Sequence, residues 1–385
     1  MKTFSLHHFP VANKRVIVRV DYDVPIKDGK VLDNSKIKAS VPTIKFLLEQ
    51  HCTVILMSHR GRPNGKNIEE LRMVHIQKEV EKLLKRRITV LDDSIGDLKI
   101  SKGVYLLENL RFYKQERENS PVFAHALANL ADVYVNESFA TSHRKHASTA
   151  AITKFLPSLP GFWLEQEVRF LSKLGKAKKP IIWIFGGAKF DKVDLIKFAM
   201  KKADYILVGG ALPFAFMRAS GLKTGMSKVS SESVKVAKSL LKKRKANKII
   251  LPIDYMVADT FNVRAKSMVV ESNSLESHIG LDLGPKTVEM FKQYLRKAST
   301  IIWTGPLGHF EWAKFAGATK EIGRFIGKLT ARSIVGGGDT AFAIHKFHLE
   351  HNFTHVSIGG GALAALISGE KLPAIVALER NFKNL

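Results

Sequence analysis

Two lysines follow a pair of glycines in the segment IIWIFGGAKFDKVDLI, residues 181–196. Lys189 and Lys192 stand where an apolar run ends and a helical pattern begins. A glycine-rich turn before a helix lets a phosphate approach free backbone N–H groups, and lysine adds a compact positive charge. The same letters also suit an ordinary strand-to-helix turn with solvated lysines, because paired glycines often mark turns. The rest of the chain has to separate these two interpretations.

Glycines end several other apolar runs in the second half of the chain. The motifs are GGA at 209–211, TGP at 304–306, GGGDT at 336–340 and GGGA at 359–362. In SIVGGGDTAFAIHKF, Asp339 and Thr340 open an apolar-periodic helix. Asp339 could hold Mg²⁺ or simply cap the helix, and Thr340 could cap the helix or bond a phosphate oxygen. Five such strand ends favour a phosphate site over five unrelated turns.

Two alternatives for these glycines are weaker. No GxxxxGK[ST] occurs, so the chain lacks a Walker-type phosphate loop. Gly359, Gly361 and Ala364 have the spacing of a dinucleotide fingerprint, with Glu379 further on. A fingerprint of that kind is common by chance, and we rank a nicotinamide site below a phosphate site.

Apolar runs in the first half end on charged residues instead. Aspartate follows the first run, arginine and histidine follow the others, and the residues are Asp21, Asp23, His59, Arg62, Arg111, His143, Arg144 and His146. Because guanidinium groups bind carboxylate and phosphate in a bidentate manner, this set predicts a site for a small, multiply charged anion. The HxxH spacing of His143 and His146 could also bind a metal, although no third ligand stands nearby.

The elements that position these residues are short apolar runs, each followed by a helical pattern. The runs are 15–21, 52–59, 103–109 and 131–138 in the first half, and 180–187, 203–210, 298–305, 332–338 and 355–361 in the second. Such alternation predicts an α/β fold with parallel sheets covered on both faces. The 385 residues exceed one compact core, so two domains are expected.

The domain boundary is predicted in LPSLPGFWLEQEVRFLSKLGKAKKP, where prolines and a glycine precede a helix. An N-terminal domain then covers residues 1–157, a linking helix and linker cover 158–178, and a C-terminal domain covers 179–368.

Charge and cysteine usage limit the functional classes. The formal net charge of +26 raises nucleic acid as a partner, but no aromatic residues interleave with the lysine clusters, so nucleic acid is disfavoured. The single Cys52 excludes an intrachain disulfide and fits a buried thiol. We find no signal peptide and no stretch that approaches a membrane span, so a cytoplasmic protein that does not bind membranes is expected.

Eleven segments in the right order resemble the phosphoglycerate kinase family over essentially the whole chain. They are RVDYDVPIKDGKV, TVILMSHRGRP, ENLRFYKQE, YVNESFATSHRKHAST, LPGFWLEQE, GGAKFDK, LPIDYMVAD, GLDLGPKT, WTGPLGHFE, IVGGGDT and HVSIGGGA. The resemblance implies two Rossmann-like parallel-sheet domains, with the tail 369–385 packed on the N-terminal domain. It also implies a monomer that transfers a phosphoryl group reversibly, in glycolysis, between 1,3-bisphosphoglycerate with ADP and 3-phosphoglycerate with ATP, with Mg²⁺ carried by the nucleotide.

The resemblance also assigns residues. Lys36, Lys189 and Lys192 become the catalytic cations, and the glycerate substrate faces Asp21, Asp23, Lys36, His59, Arg62, Arg111, Arg144 and His146. The nucleotide site is Gly187, Lys189, Lys192, Gly209, Gly210, Gly280, Leu281, Pro306, Glu311, Gly337, Gly338, Asp339 and Thr340. Of these, Glu311 holds the ribose and Asp339 meets Mg²⁺.

Four site positions depart from the family pattern. Asp23 replaces an asparagine, Lys36 an arginine and Thr304 an asparagine, while Ile358 removes a hydroxyl. GGAKFDK is also one residue shorter, which turns Lys192 by about 100° on a regular helix. We therefore expect weaker binding of the glycerate. The alternative hypothesis is a catalytically impaired nucleotide-binding relative that acts as a binding protein, with its positive surface engaging nucleic acid.

Overall fold

The protein, studied as a computed structural model, is described here for residues 5–172, 177–188 and 193–382, without the side chain of Asp194. Helices and mainly parallel strands alternate along it, which confirms the α/β class. The chain divides into two compact units, one of Met1–Ser172 with Gly369–Leu385 and one of Lys173–Ser368. None of its described helices is both long and apolar enough to cross a bilayer.

The first unit contains eight strands and six helices in its described part. They are β1 (Arg15–Arg19), β2 (Ile26–Lys27), β3 (Lys30–Val31), α1 (Ser35–Glu49), β4 (Thr53–Met57), α2 (Gln77–Leu84), β5 (Thr89–Val90), β6 (Val104–Leu106), α3 (Lys114–Arg117), α4 (Pro121–Ala128), β7 (Val133–Asn136), β8 (Ser158–Pro160), α5 (Phe162–Ser172) and, at the end of the chain, α13 (Pro373–Phe382).

The second unit contains nine strands and seven helices among the residues that are described. They are β9 (Ile181–Phe185), α6 (Val193–Lys202), β10 (Tyr205–Val208), α7 (Leu212–Ala219), α8 (Ser231–Leu241), β11 (Ile249–Ile250), β12 (Asp254–Ala258), β13 (Ser267–Glu271), β14 (Ile279–Leu283), α9 (Pro285–Leu295), β15 (Thr300–Thr304), α10 (Gly317–Ile326), β16 (Arg332–Gly336), α11 (Gly338–Lys346), β17 (His355–Ser357) and α12 (Gly360–Ile367).

The first sheet has the strand order β5-β6-β4-β1-β7-β8, and every neighbouring pair is parallel. β1 lies at its centre, where Ile17 pairs with Ile55 on one side and with Tyr134 on the other. The side chains of β4, β6 and β7 are almost entirely buried. Burial on both faces explains why these strands read as continuous apolar runs.

The second unit has a parallel sheet of order β11-β10-β9-β15-β16-β17. An antiparallel sheet of order β13-β12-β14 lies beside it. All nine apolar runs of the sequence form strands of the two parallel sheets. The antiparallel sheet was not expected, because β13 is largely exposed and β14 carries polar and glycine residues in place of an apolar run.

Helix α13 returns the end of the chain to the first unit, where it packs on β8. The Asn381 side chain accepts a hydrogen bond from Ser158 N at 2.9 Å and donates to the carbonyl oxygens of Thr153 and Leu156 at 2.6 and 3.1 Å. Ala374 N donates to Ser142 O at 3.2 Å. The amide thus satisfies one backbone N–H of the edge strand β8 and two carbonyl oxygens of the segment that leads into it.

Glu137 joins the end of β7 to the start of α5. Its Oε1 accepts hydrogen bonds from Thr43 Oγ1 at 2.7 Å and from Trp163 N at 3.1 Å, and its Oε2 accepts one from Leu164 N at 3.4 Å. The carboxyl group is buried, and this burial raises its pKa to about 7. The ionised carboxylate of Glu137 therefore caps helix α5, but its burial costs solvation free energy.

We expect Glu137→Gln to remove part of the pH dependence of stability in the first unit. Because the pKa is higher in the folded chain, the stabilisation is complete below the unfolded pKa of about 4.5 and is lost as the pH rises through about 7. The difference between about pH 5 and pH 8 amounts to roughly 2–3 kcal/mol. Urea unfolding at both pH values, followed by circular dichroism, measures it.

Glu118→Gln is the control, because Glu118 is an exposed carboxylate of the same unit. Other titrating groups contribute equally to the pH dependence of the unfolding free energy in the wild type and in both variants. The test therefore compares this pH dependence between the wild type and each variant. An unchanged pH dependence in Glu137→Gln would contradict the assignment.

Candidate functional site

The first sheet gathers the charged residues of the first half of the chain. β6, β4, β1 and β7 are consecutive neighbours and all run in the same direction. Asp21 and Asp23 follow β1, His59 and Arg62 follow β4, Arg111 follows β6, and Arg144 and His146 follow β7. Since the carboxyl ends of parallel strands meet at one edge, these segments lie together.

Lys36, at the start of α1, is held by the two aspartates after β1. Its Nζ lies 3.0 Å from Asp21 Oδ2 and donates to the backbone oxygen of Asp23 at 3.0 Å. Burial, the largest single influence, disfavours its charge, but the carboxylates of Asp21, Asp23 and Asp33 together outweigh burial and raise the pKa of Lys36. Lys36 is therefore a fixed cation.

Asp23, the residue that replaces an asparagine, organises the loop after β4. Its Oδ1 accepts a hydrogen bond from Gly61 N at 2.9 Å, and its Oδ2 lies 3.6 Å from His59 Nε2. An asparagine oxygen could accept the first of these bonds equally well. The carboxylate is thus partly compensated by its own neighbours before any substrate arrives.

His59 is buried and neutral. Arg19 Nη2 lies 2.9 Å from His59 Nδ1, and guanidinium only donates, so Nδ1 accepts and the ring proton sits on Nε2, facing Asp23. Burial, followed by the charge of Arg19, holds the pKa of His59 well below its usual range. The neutral ring of His59 therefore directs its Nε2–H toward Asp23 Oδ2, 3.6 Å away, without adding charge.

Four of the predicted residues line one cavity. It measures 460 Å³, and its lining is Arg62, Asn64, Arg111, Arg117, Arg144 and His146. Arg111 Nη1 donates to Gly61 O at 2.6 Å, while its buried Nε has no hydrogen-bond partner within the described residues. The cavity therefore offers several guanidinium donors to an anion.

Electrostatics show that these cations repel one another. Burial, and then the charges of Arg144 and Arg19, lower the pKa of Arg111 to about 10. Burial and then Arg62 lower the pKa of Arg144. Burial and the surrounding arginines lower the pKa of His146 to about 3. In each case burial is the largest cause and neighbouring positive charge adds to it, and a bound anion would relieve this second contribution.

A buried carboxylate lies beneath this cavity. Glu116 accepts hydrogen bonds from Ser148 N at 2.9 Å and Ser148 Oγ at 2.6 Å, and its Oε1 is 3.6 Å from His146 Nδ1. Arg19 Nε donates to Ser148 Oγ at 2.9 Å. Burial raises the pKa of Glu116. A chain of contacts runs from Asp23 through His59, Arg19 and Ser148 to Glu116. It connects the region around Lys36 and Asp23 with the arginine-lined cavity.

Sequence reasoning missed Arg19, Glu116, Ser148 and Arg117. Arg19 could have been found, because an arginine inside the apolar run RVIVRVD must be buried with the strand. Glu116 and Ser148 gave no such signal. The HxxH motif at 143–146 lies in an irregular connection and not in a helix. No three acidic, histidine or cysteine side chains converge as a metal site among the residues that the structure describes.

In the second unit, backbone hydrogen bonds join the glycine-rich loops after β9, β10 and β15. The bonds are Gly186 N to Thr304 O at 2.8 Å, Gly187 N to Pro306 O at 2.8 Å, Gly209 N to Phe185 O at 2.7 Å and Gly210 N to Leu307 O at 2.9 Å. Gly187, Gly209, Gly210 and Pro306 therefore belong to one rigid corner, at the carboxyl ends of neighbouring strands.

The close approach of two of these loops requires glycine. A Cβ on Gly305, whose φ is +90°, would lie 2.1 Å from the Gly186 carbonyl oxygen. A Cβ on Gly186 would lie 2.2 Å from the carbonyl oxygen of Pro306. These two glycines are there for contact between loops, which is a structural role and not ligand access.

Helix α11 presents its N-terminus at the same edge. Gly337, with φ +101°, precedes it, and a Cβ on Gly338 would meet nothing within 4 Å. Thr340 is buried, and its Oγ1 accepts a hydrogen bond from Gly305 N at 2.6 Å, so its hydroxyl joins α11 to the β15 loop instead of capping the helix. Asp339 is exposed in the first turn and is not the N-cap residue.

The remaining residues that were predicted to bind the nucleotide lie around β14. Gly280 N donates to Ser227 Oγ at 3.0 Å, and Leu281 O accepts a hydrogen bond from His309 N at 2.7 Å. His309 Nδ1 is 3.3 Å from Glu311 Oε2. Gly280, Leu281 and Glu311 are thus neighbours, although β14 is a strand of the antiparallel sheet and not a glycine loop.

Lys189 and Lys192 lie outside the described residues, so the structure gives no position for either.

Thr304, at the end of β15, is buried, and its Oγ1 would lie 3.1 Å from a Cβ on Gly337. Ile358 is half-buried directly after β17.

Comparisons with known proteins agree with this geometry. The sequence profile of the family "Phosphoglycerate kinase" matches residues 6–370. The phosphoglycerate kinase of Thermosipho africanus is 39% identical over 399 residues, covering 100% of this chain and 99% of that protein. The enzyme of Moorella thermoacetica is 40% identical, covering 98% of this chain and 99% of that protein.

Solved structures give the same result. The phosphoglycerate kinase structure from Coxiella burnetii has a TM-score of 0.83 at 34% identity and covers 98% of this chain and 99% of that one. The structure from Pyrococcus horikoshii has a TM-score of 0.89 at 29% identity and covers all of both chains. The resemblance found in the sequence is confirmed, and the chain belongs to the phosphoglycerate kinase family.

Proposed function

We propose that this kinase transfers a phosphoryl group reversibly between MgATP and the carboxyl group of 3-phosphoglycerate, giving ADP and 1,3-bisphosphoglycerate. The observation that carries the proposal is the cation surplus of the first-unit site. Six cations, Arg19, Lys36, Arg62, Arg111, Arg117 and Arg144, face the three carboxylates of Asp21, Asp23 and Glu116. The surplus matches a substrate that carries both a carboxylate and a phosphate.

The phosphate and the carboxylate of 3-phosphoglycerate bind to different parts of this site. The phosphate of 3-phosphoglycerate takes the cavity of Arg62, Arg111 and Arg144, where guanidinium donors are concentrated. Its carboxylate lies toward Lys36 and Asp23. Hydrogen bonds to neighbouring residues already hold both side chains in place. His59 and His146 remain neutral near pH 7, because burial and the arginines oppose their protonation and depress the pKa of both.

The nucleotide takes the second unit. Its phosphates face the N-terminus of α11 and the open side of Gly338, where unpaired helical N–H groups and the helix dipole favour negative charge. Lys189 and Lys192 add positive charge there by family position. The adenosine lies along Gly187, Gly209, Gly210, Gly280, Leu281 and Pro306, with Glu311 at the ribose.

Mg²⁺ fits Asp339, whose exposed carboxylate stands in the first turn of the same helix. Mg²⁺ commonly binds through one or two carboxylates together with substrate phosphates, so a single aspartate suffices for an ion that arrives with the nucleotide. When bound, the ion supplies positive charge to the phosphate oxygens.

The reaction needs no covalent catalysis by the protein. A carboxylate oxygen of the glycerate attacks the terminal phosphorus, the bond to the ADP oxygen breaks, and no general base is needed because the nucleophile is already ionised. Fixed cations then stabilise charge on the transferred group. The domain roles predicted for 1–157 and 179–368, with 158–178 as the linking helix, are kept in this proposal. The two compact units support the two domain roles, and residues 158–172 of the predicted linking segment lie within the first unit.

We expect Arg144→Ala to lower kcat/KM for 3-phosphoglycerate by about 100-fold or more, because truncating one partner of a charged pair costs roughly 2–5 kcal/mol. An assay that couples ADP formation from MgATP and 3-phosphoglycerate to NADH oxidation measures it. Arg87→Ala is the matched control, since Arg87 is exposed and lies outside the site. No turnover by the wild-type chain would favour the alternative, a catalytically impaired relative, over the proposed kinase.

Lys36→Arg restores the planar cation of the family pattern. We expect KM for 3-phosphoglycerate to fall by about tenfold, the factor that roughly 1.4 kcal/mol supplies, while KM for MgATP stays the same. Steady-state kinetics with each substrate varied in turn provide the measurement. An unchanged KM for the glycerate would show that Lys36 does not weaken its binding.

Asp339→Asn tests the magnesium assignment. We expect the affinity for MgATP to fall by about tenfold, because the neutral amide is a poorer Mg²⁺ ligand than a carboxylate. Isothermal titration calorimetry should show this loss with MgATP, and no loss with ATP in excess EDTA. Equal losses in both titrations would place Asp339 at the phosphates and not at the ion.

A further inference from the structure

The second unit carries a dense group of cations at the amino ends of three neighbouring strands. Tyr205 pairs with Ile182, and Ile206 pairs with Ile249, so β9, β10 and β11 begin side by side. Strands in a sheet lie about 4.8 Å apart, so the three starts span roughly 10 Å. We call the segments that lead into them the amino-end surface; its cations are Lys178, Lys179, Lys201, Lys202, Lys242, Lys243, Arg244, Lys245 and Lys248.

Direct contacts hold these three segments together. Lys248 Nζ donates to the carbonyl oxygen of Ala203, which joins the connection before β11 to the turn before β10. Asp204 Oδ2 accepts a hydrogen bond from Ile181 N at 2.8 Å, which joins that turn to β9. Lys178 O accepts one from Thr300 Oγ1 at 2.9 Å. These bonds tie down the three segments at Lys178, at Ala203 and Asp204, and at Lys248.

The charge of this surface is not balanced locally. Asp204 is the only carboxylate in the segments 177–181, 201–205 and 242–249, and it lies 3.6 Å from Lys179 Nζ. Seven cations are exposed and, as far as the structure describes the chain, form no ion pair; they are Lys178, Lys201, Lys202, Lys242, Lys243, Arg244 and Lys245. Their mutual repulsion disfavours the folded state, and a polyanion would relieve it.

Helix geometry accounts for only part of this cluster. α6 ends at Lys202, and α8 ends at Leu241 just before Lys242. One or two cations at a helix C-terminus are favoured by the helix dipole. The run of four cations from Lys242 to Lys245 extends beyond the last turn of α8, where the dipole effect has faded. A solvated helix end does not require such a run.

The amino-end surface is separate from the proposed nucleotide site. The glycine loops follow the carboxyl ends of β9, β10 and β15, whereas these lysines precede the amino ends of β9, β10 and β11. Since all of these strands are parallel, the two groups lie at opposite edges of one sheet. ATP bound at the glycine loops does not use these charges.

We propose that the amino-end surface binds the phosphate backbone of double-stranded nucleic acid. Lysine charges alone suffice for sequence-independent backbone binding. Single-strand binding uses exposed aromatic side chains, and membrane association by a surface of this kind uses exposed apolar ones. Among the described residues of the amino-end surface there is no exposed large apolar or aromatic side chain. The composition therefore fits a duplex and neither a single strand nor a lipid surface.

Binding to a duplex should depend steeply on salt. If five to seven phosphates are neutralised, log K falls against log salt with a slope of about −4.5 to −6. Non-specific affinities of this class lie at roughly 10⁻⁴ to 10⁻⁶ M in physiological salt. Fluorescence anisotropy of a labelled 20-base-pair duplex of random sequence, titrated with the full chain at several salt concentrations, measures both quantities.

The test variant changes Lys242, Lys243, Arg244 and Lys245 to glutamate. Its matched control changes Lys30, Lys38, Lys45 and Lys78 of the first unit to glutamate, four exposed lysines that give the same net charge. We expect the test variant to weaken duplex binding at least about 30-fold and to flatten the salt slope, and the control to weaken it about threefold or less. Both variants should keep the wild-type circular dichroism spectrum and kinase rate.

Three outcomes would overturn the proposal. Equal losses in test and control variants would show that only the net charge matters. No wild-type binding at 10⁻⁴ M chain in physiological salt would exclude the surface as a duplex site. Stronger binding to a single strand of equal length, or to phosphatidylserine vesicles with loss in the test variant, would assign the surface to that other partner. If the test variant misfolds, the pair Lys201→Glu and Lys202→Glu is compared with Lys38→Glu and Lys45→Glu by the same criteria.

Discussion

A buried guanidinium determines the arrangement of the first unit. Arg19 ends the central strand β1, is inaccessible to solvent, and can be kept there only if its donors are satisfied. They are satisfied by His59 on one side, by Ser148 and through it Glu116 on the other, and by the oxygen of Val20. The segments after β1, β4, β6 and β7 are consequently held in fixed relation. This charge supplements the bonds of Gly61 to Asp23 and Arg111, which also join the loops of the site.

The two units combine one sheet topology with two different kinds of loop. Both place parallel strands so that the segments at their carboxyl ends converge. In the first unit those segments bring charged side chains, which suit a small substrate with a carboxylate and a phosphate. In the second they bring backbone, because glycines allow β9, β10 and β15 to exchange hydrogen bonds and leave the N-terminus of α11 open. Side-chain charge and backbone N–H groups are thus alternative solutions to anion binding within a single chain.

The sequence was sufficient to predict the parallel sheets, because a strand buried on both faces is apolar throughout. Nine such apolar runs are visible in the sequence. It was insufficient for β5, β8 and β11, which have only two or three residues, and for the half-exposed antiparallel sheet. The positions of Arg111 and Arg144 followed from strand ends. The partners of Arg19 did not, since Ser148 is 129 residues away and contacts of that separation leave no local pattern. Sequence reasoning also attributed ligand access to glycines that mainly permit loops to touch.

The crossing of the loops at Gly186 and Gly305 limits how the proposed nucleotide site could evolve. A side chain at either position would collide with main-chain oxygen atoms, not with a neighbouring side chain. Exchanging a neighbouring residue for a smaller one therefore makes no room, and no second substitution compensates for the first. Mutational drift toward another nucleotide is confined to positions whose side chains can change freely. Glu311, whose side chain is half exposed, is such a position, whereas Leu281 is buried in an apolar cluster with Ala258, Ala265 and Phe315 and is constrained by packing.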